Sequence, residues 1–120
     1  MEKELEQVLY QSAERIGVHL APDQLKSFGT YMDLLLEWNE KMNLTAITEP
    51  EEVVQKHFAD CLTLLPCLPE ETGLRVIDVG TGAGFPGLPV KIARPDLQVT
   101  LLDSLLKRIT FLETVIAQLS

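Results

Sequence analysis

The sequence predicts an α/β chain. A small helical region over residues 1–72 is followed, over 73–120, by the start of a doubly wound, Rossmann-like parallel sheet in the order strand, helix, strand, helix. Three observations carry this reading. Apolar residues recur at helical spacing from Leu5 to Leu65. A polar turn, Glu70-Glu71-Thr72-Gly73, then separates that pattern from short apolar runs. The run Val76-Ile77-Asp78-Val79 breaks into four glycines within eight residues, at Gly80, Gly82, Gly84 and Gly87. A buried parallel strand passes in this way through a tight loop into a helix.

Each element has its own signals. Leu5, Val8, Leu9, Ser12 and Ile16 follow one helical face, and Gly17 suits its stop. Pro22 opens a second helix that carries Leu25, Phe28, Met32, Leu35 and Leu36 past Trp38 to the neighbourhood of Met42. Asn43 to Ile47 reads as a connection, with Asn39 and Asn43 organising the turn through side chain–backbone bonds. Thr48-Glu49-Pro50-Glu51 fits a capping box with Thr48 as N-cap. The helix behind it presents Val53, Val54, His57, Phe58, Cys61, Leu62 and Leu65, and Pro66-Cys67-Leu68-Pro69 ends it. Leu74–Val79 and Leu97–Asp103 are the strands. Gly87–Ala93 is the helix between them, closed by Arg94-Pro95-Asp96, and Ser104 caps a last helix through Ile109, Leu112, Ile116 and Leu119. Two parallel strands leave an open apolar edge, so the chain is expected to be the N-terminal part of a longer protein, inactive alone.

Composition narrows the class. Hydrophobic residues make up 46% of the 120, enough to form a core. No apolar run reaches the roughly 18 residues of a membrane span, and the charged N-terminus is unlike a signal peptide. Cys61 and Cys67 have neither zinc nor redox spacing and read as reduced thiols of a cytoplasmic protein. The net charge of −8 is uneven: residues 1–72 hold five basic and fourteen acidic residues, residues 73–120 five and four. The chain shows no basic face of the kind nucleic-acid binders carry. No ligands are spaced for a metal.

The glycine loop has two readings. Gly82-Ala83-Gly84-Phe85-Pro86-Gly87 matches the dinucleotide fingerprint, which is weak alone. Asp78 argues against it, because an acid ahead of Gly80-Thr81-Gly82 opposes a pyrophosphate through like charge. It favours a cofactor with a cationic amino-acid end, as S-adenosylmethionine has. Asp103 ends the second strand, 21 residues after Gly82, and so stands at the neighbouring strand tip, where a carboxylate can accept ribose hydroxyls. Expected cofactor contacts are Asp78, Gly80, Thr81, Gly82, Gly84 and Asp103. The alternative is that the acids and glycines only shape the loop and the helix start.

Four motifs in order then resemble a known family: Trp38-Asn39 with Asn43-Leu44-Thr45; His57 with Asp60; Asp78-Val79-Gly80 through Gly82 and Gly84 to Phe85-Pro86-Gly87; and Leu101-Leu102-Asp103-Ser104 with Lys107-Arg108. Together they are similar to the bacterial glucose-inhibited division protein B family, also called ribosomal RNA small-subunit methyltransferase G. The resemblance covers almost the whole chain. It implies a class I S-adenosylmethionine-dependent methyltransferase domain behind a small helical region. It further implies methyl transfer to N7 of a guanine in 16S ribosomal RNA, with the RNA or the small ribosomal subunit as partner. One departure is Cys61, where family members often have Ser.

The remaining candidates carry open alternatives. His57 and Asp60, three apart on one helix, either border the cofactor crevice and orient the guanine or dock the helices onto the sheet. Lys107 and Arg108 stand in a first helical turn, where cations oppose the helix dipole. They either meet RNA phosphate or pair with an acid of the helical region. Trp38 reads as core rather than as a base-stacking platform. Rival functions are a methyltransferase of the same fold with another substrate and a non-catalytic helical interaction module.

Overall fold

The structure is a computed structural model and describes residues 1–119. Helix α1, Lys3–Arg15, buries Leu5, Leu9 and Ala13, the i, i+4, i+8 stripe of one face. Gly17, at φ +80°, stops it, and the amides of Gly17 and Val18 turn back to the carbonyls of Glu14 and Ala13. Helix α2, Pro22–Asn39, begins with proline in its first turn, where the missing N–H costs nothing. Gln24 braces this start. Its Oε1 accepts the Ala21 amide at 2.7 Å, while its Nε2 donates to the carbonyls of Ile92 and Ala93, both at 3.1 Å.

The third helical segment departs from the sequence reading twice. Thr48 is not its cap: α3, Pro50–Glu52, starts behind Glu49 with no side-chain cap bond. Pro50 supplies the helical φ and has no N–H to satisfy. The segment is also not α-helical throughout. Val53–Ala59 forms a π-helix, and α4, Asp60–Leu62, resumes the α form. The wider turn brings Val53, Val54 and Phe58 into the core together, each fully buried. A 3₁₀ turn, Leu65–Cys67, follows, with Pro66 in its first positions.

Strands β1, Arg75–Val79, and β2, Gln98–Leu102, pair in parallel, with Arg75 opposite Gln98 and Val79 opposite Leu102. Helix α5, Gly87–Ala93, connects them, and α6, Leu106–Leu119, follows β2. Both strands are shorter than the sequence reading. Leu74 contributes only its carbonyl to the Gln98 amide, and Asp103 turns out of the ladder. The carboxylate that meets the chain ahead of α6 is that of Asp103, accepting the Leu105 amide at 3.0 Å, rather than the hydroxyl of Ser104. Alternation puts Val76, Asp78, Val99 and Leu101 on the half-buried inner face. On the outer face Ile77, Val79 and Leu102 are 63%, 77% and 47% exposed.

One core runs through both halves of the chain. Leu9, Phe28, Leu35 and Phe58 from the first join Leu88, Phe111 and Val115 from the second. Trp38 packs on Phe111 with ring centroids 5.6 Å apart and so serves the core. The turn at 69–73 is clamped: Arg94 donates to the carbonyls of Pro69 and Glu71, and Asp96 accepts the Gly73 amide.

Phe58 sits at the centre of this packing, with ring centroids 5.0 Å from Phe28 and 5.3 Å from Tyr31. Phe58→Ala is expected to cost about 3–5 kcal/mol, most of the stability of a chain this small. Urea unfolding checks it, and a loss below about 1 kcal/mol would show that Phe58 is not a centre of this core.

Candidate functional site

The loop between β1 and α5 uses backbone that glycine adopts without strain. Gly80, Gly82 and Gly84 have φ of +71°, +60° and +100°. Open space lies where side chains would stand at Gly80 and Gly82. At Gly84 a Cβ would come within 2.5 Å of Leu88 Cδ1 and 2.7 Å of the Tyr31 hydroxyl. Gly84 is therefore packed beneath the loop, while Gly80 and Gly82 leave bare backbone that a ligand can approach.

Asp78 ties this loop to its strand. Its Oδ2 accepts the Thr81 hydroxyl at 2.6 Å and the Gly87 amide at 2.9 Å. Its Oδ1 has no protein partner among the described residues, and no buried side-chain oxygen or nitrogen among them lacks one, so Oδ1 is open to solvent. Thr81 is buried and faces into the loop, where its carbonyl also accepts the amides of Gly84 and Phe85.

Asp103, just past β2, is also engaged. Oδ1 accepts the Leu105 amide at 3.0 Å, Oδ2 accepts the Gly82 amide at 2.9 Å, and Arg108 Nη1 lies 3.5 Å from Oδ2. The Leu105 and Gly82 amides, then the guanidinium, hold its carboxyl below the usual range against the effect of burial. Only 2% of the side chain is exposed. The sequence reading offers these oxygens to ribose hydroxyls; each accepts one loop amide and keeps a second lone pair. Arg108 pairs with this acid and not with one from the helical region, while Lys107 is exposed.

His57 and Asp60 line an open groove of about 480 Å³ together with Lys56, Cys61, Phe85 and Pro86. The His57 ring stacks on Phe85 of the glycine loop, centroids 4.2 Å apart at 13°, and its Nε2 lies 2.9 Å from Thr45 Oγ1. Docking and groove lining therefore coexist. Burial lowers the His57 pKa, with Asp60 opposing, and the ring is neutral at pH 7. Burial pushes the Cys61 thiol up to about 12, helped by Asp60 and Asp78, so it too is neutral.

Tyr31 escapes a reading by hydrophobicity. It is fully buried, and its hydroxyl donates to the Ala83 carbonyl at 2.5 Å. Burial, then Cys61 and Asp78, raises its pKa well above the ordinary value. The available signal is its place in the Phe28–Leu35 stripe, since a tyrosine on a buried face needs a partner for its hydroxyl. Of the two asparagines, Asn39 organises the turn after α2. No grouping of three metal-ligating side chains occurs among the described residues, and no helix there is long and apolar enough to cross a membrane.

Comparison with known proteins places these features in a family. The family model described as "rRNA small subunit methyltransferase G" matches residues 24–120. Curated proteins named "Ribosomal RNA small subunit methyltransferase G" are similar along most of the chain. That of Desulfitobacterium hafniense is 55% identical over 106 residues, covering 88% of this chain and 43% of its own length. That of Lachnoclostridium phytofermentans is 57% identical over 109 residues, covering 91% and 45%. That of Acetivibrio thermocellus is 51% identical over 118 residues, covering 98% and 48%. The chain spans about half the length of the curated relatives it matches.

Two outcomes are expected from this geometry. Gly80→Ala pays only the left-handed backbone cost, about 1–2 kcal/mol, whereas Gly84→Ala adds the collision with Tyr31 and Leu88. Urea unfolding of both variants reads the difference, and equal losses would show that the loop does not rest on Tyr31. Asp103 has a folded pKa below its unfolded value. Its contribution to stability is complete above the unfolded value of about 3.9 and is lost as pH falls through the folded one. Asp103→Asn is therefore expected to be less stable than wild type at pH 7, with the gap closing in acid; a gap independent of pH would contradict this.

Proposed function

The chain belongs to the rRNA small subunit methyltransferase G family, and on that membership we propose that it serves methyl transfer from S-adenosylmethionine to N7 of a guanine in 16S ribosomal RNA, in the cytoplasm. The observation that carries the reading is the open Oδ1 of Asp78 beside the bare backbone of Gly80 and Gly82. A free carboxylate oxygen suits the cationic end of an amino-acid cofactor and repels a phosphate. The residues present therefore fit this cofactor better than a dinucleotide.

Bound there, the cofactor supplies an electrophilic methyl on its sulfonium. Asp78 holds the ammonium end, and Gly80 and Gly82 allow close approach. Asp103 keeps the loop in shape through the Gly82 amide. Each of its oxygens accepts one loop amide and keeps a second lone pair for a ribose hydroxyl. His57 and Asp60 orient the guanine in the groove beside Phe85. Guanine N7 carries a lone pair and no proton, so no general base would be needed, and holding the guanine in place would do most of the catalysis. Lys107, exposed next to the site, meets RNA phosphate, whereas Arg108 is held by Asp103.

The test joins this chain to the C-terminal half of the Acetivibrio thermocellus relative. The chimera is expected to place labelled methyl on small ribosomal subunits as 7-methylguanosine, and Asp78→Asn to lower the rate at limiting cofactor at least about tenfold. A cooperatively folded chimera that methylates no RNA would sink the reading.

A further inference from the structure

The Asn39-to-Thr45 motif has no part in the mechanism above. Asn39 Oδ1 accepts the amides of Leu44 and Thr45 at 2.7 and 2.9 Å, which folds the chain after α2 into a defined turn. That turn carries Thr45 Oγ1 to 2.9 Å from His57 Nε2, and the same oxygen accepts the Ile47 amide at 3.1 Å. The hydroxyl has one proton to give, and Nε2 is the one nitrogen or oxygen in reach that can take it among the described residues, the Ile47 amide being a donor. When the hydroxyl gives that proton to Nε2, the neutral ring carries its own proton on Nδ1. Among the described residues Nδ1 has no protein partner and no buried polar side-chain atom is unpaired, so this nitrogen reaches solvent.

We propose that Asn39 and Thr45 are positioning residues that lock His57 in its Nδ1–H form, so that the groove beside Phe85 offers an N–H donor from His57 next to a carboxylate acceptor from Asp60. That pair complements guanine, whose O6 accepts while N1–H and the 2-amino group donate. Adenine presents an amino donor in place of O6 and has no N1–H, so it sets donor against donor. The guanine half of the proposal rests on the function proposed above; the tautomer half does not.

Nitrogen-15 NMR of the whole chain with labelled histidine, without RNA or cofactor, reads the tautomer. His57 is expected to show a protonated Nδ1 and a bare Nε2. Thr45→Val, equal in size but without the hydroxyl, is expected to lose this pattern, and Thr45→Ser to keep it, with His19 unchanged as the internal control. A wild-type His57 protonated on Nε2, or a Thr45→Val spectrum like wild type, overturns the lock. Guanosine 5′-monophosphate is then expected to shift the His57 signals in wild type and Thr45→Ser, adenosine 5′-monophosphate to leave them in place, and Thr45→Val to lose the guanosine response. Equal or absent responses to the two nucleotides overturn the guanine half. An inactive chimera with the tautomer and the nucleotide response intact overturns the methyl-transfer reading instead.

Discussion

Glycine backbone is free to take many conformations, and here a buried aromatic cluster packs against one end of the loop, at Gly84. Tyr31 and Phe58 come from the helical region, Phe85 from the glycine loop, and His57 stacks on the last of these. The Tyr31 hydroxyl and the Ala83 carbonyl satisfy each other in an interior where an unpaired polar group costs about 1–3 kcal/mol. Gly84 is small because that hydroxyl is there. The helical region is therefore part of the loop's scaffold.

Charge follows the same logic. Arg108 stands where helix propensity disfavours a cation, and its ion pair with Asp103 offsets that cost. Asp103 in turn binds the loop to the tip of β2 through Gly82, so its negative charge is largely spent inside the protein. Tyr31 and Cys61, both influenced by Asp78, stay neutral because burial raises both pKa values. The open oxygen of Asp78 is left as the unspent charge of the loop. The thiol at Cys61 leaves that balance as it is.

Much of this was legible in the residues. The stripes of α1 and α2, the glycine stop at Gly17, the strand–loop–helix transition and the importance of Asp78 follow from periodicity and from the conformations glycine permits. The π-helical stretch at Val53–Ala59 did not, because spacings of four and five residues leave the same apolar stripe in a sequence. Thr48 misled because its capping pattern competed with a proline two residues on. The inward turn of Asp103 depends on the Gly82 amide, 21 residues away, and no local pattern encodes it. Tyr31 was hidden for the opposite reason: it fits its helix face so well that nothing marks its hydroxyl as a support for the loop.

Gln24 joins the start of α2 to the end of α5 across 68 residues of chain, farther than the 52 between Tyr31 and Ala83. Closing a segment of that length costs about 2.5 kcal/mol more entropy than closing a four-residue turn. These bonds consequently belong to the late part of folding, after the helices have formed and met. The loop and the helix behind it are tied to α2 through Tyr31 and Gln24, so the loop's amide hydrogens should exchange in the same cooperative opening as the core.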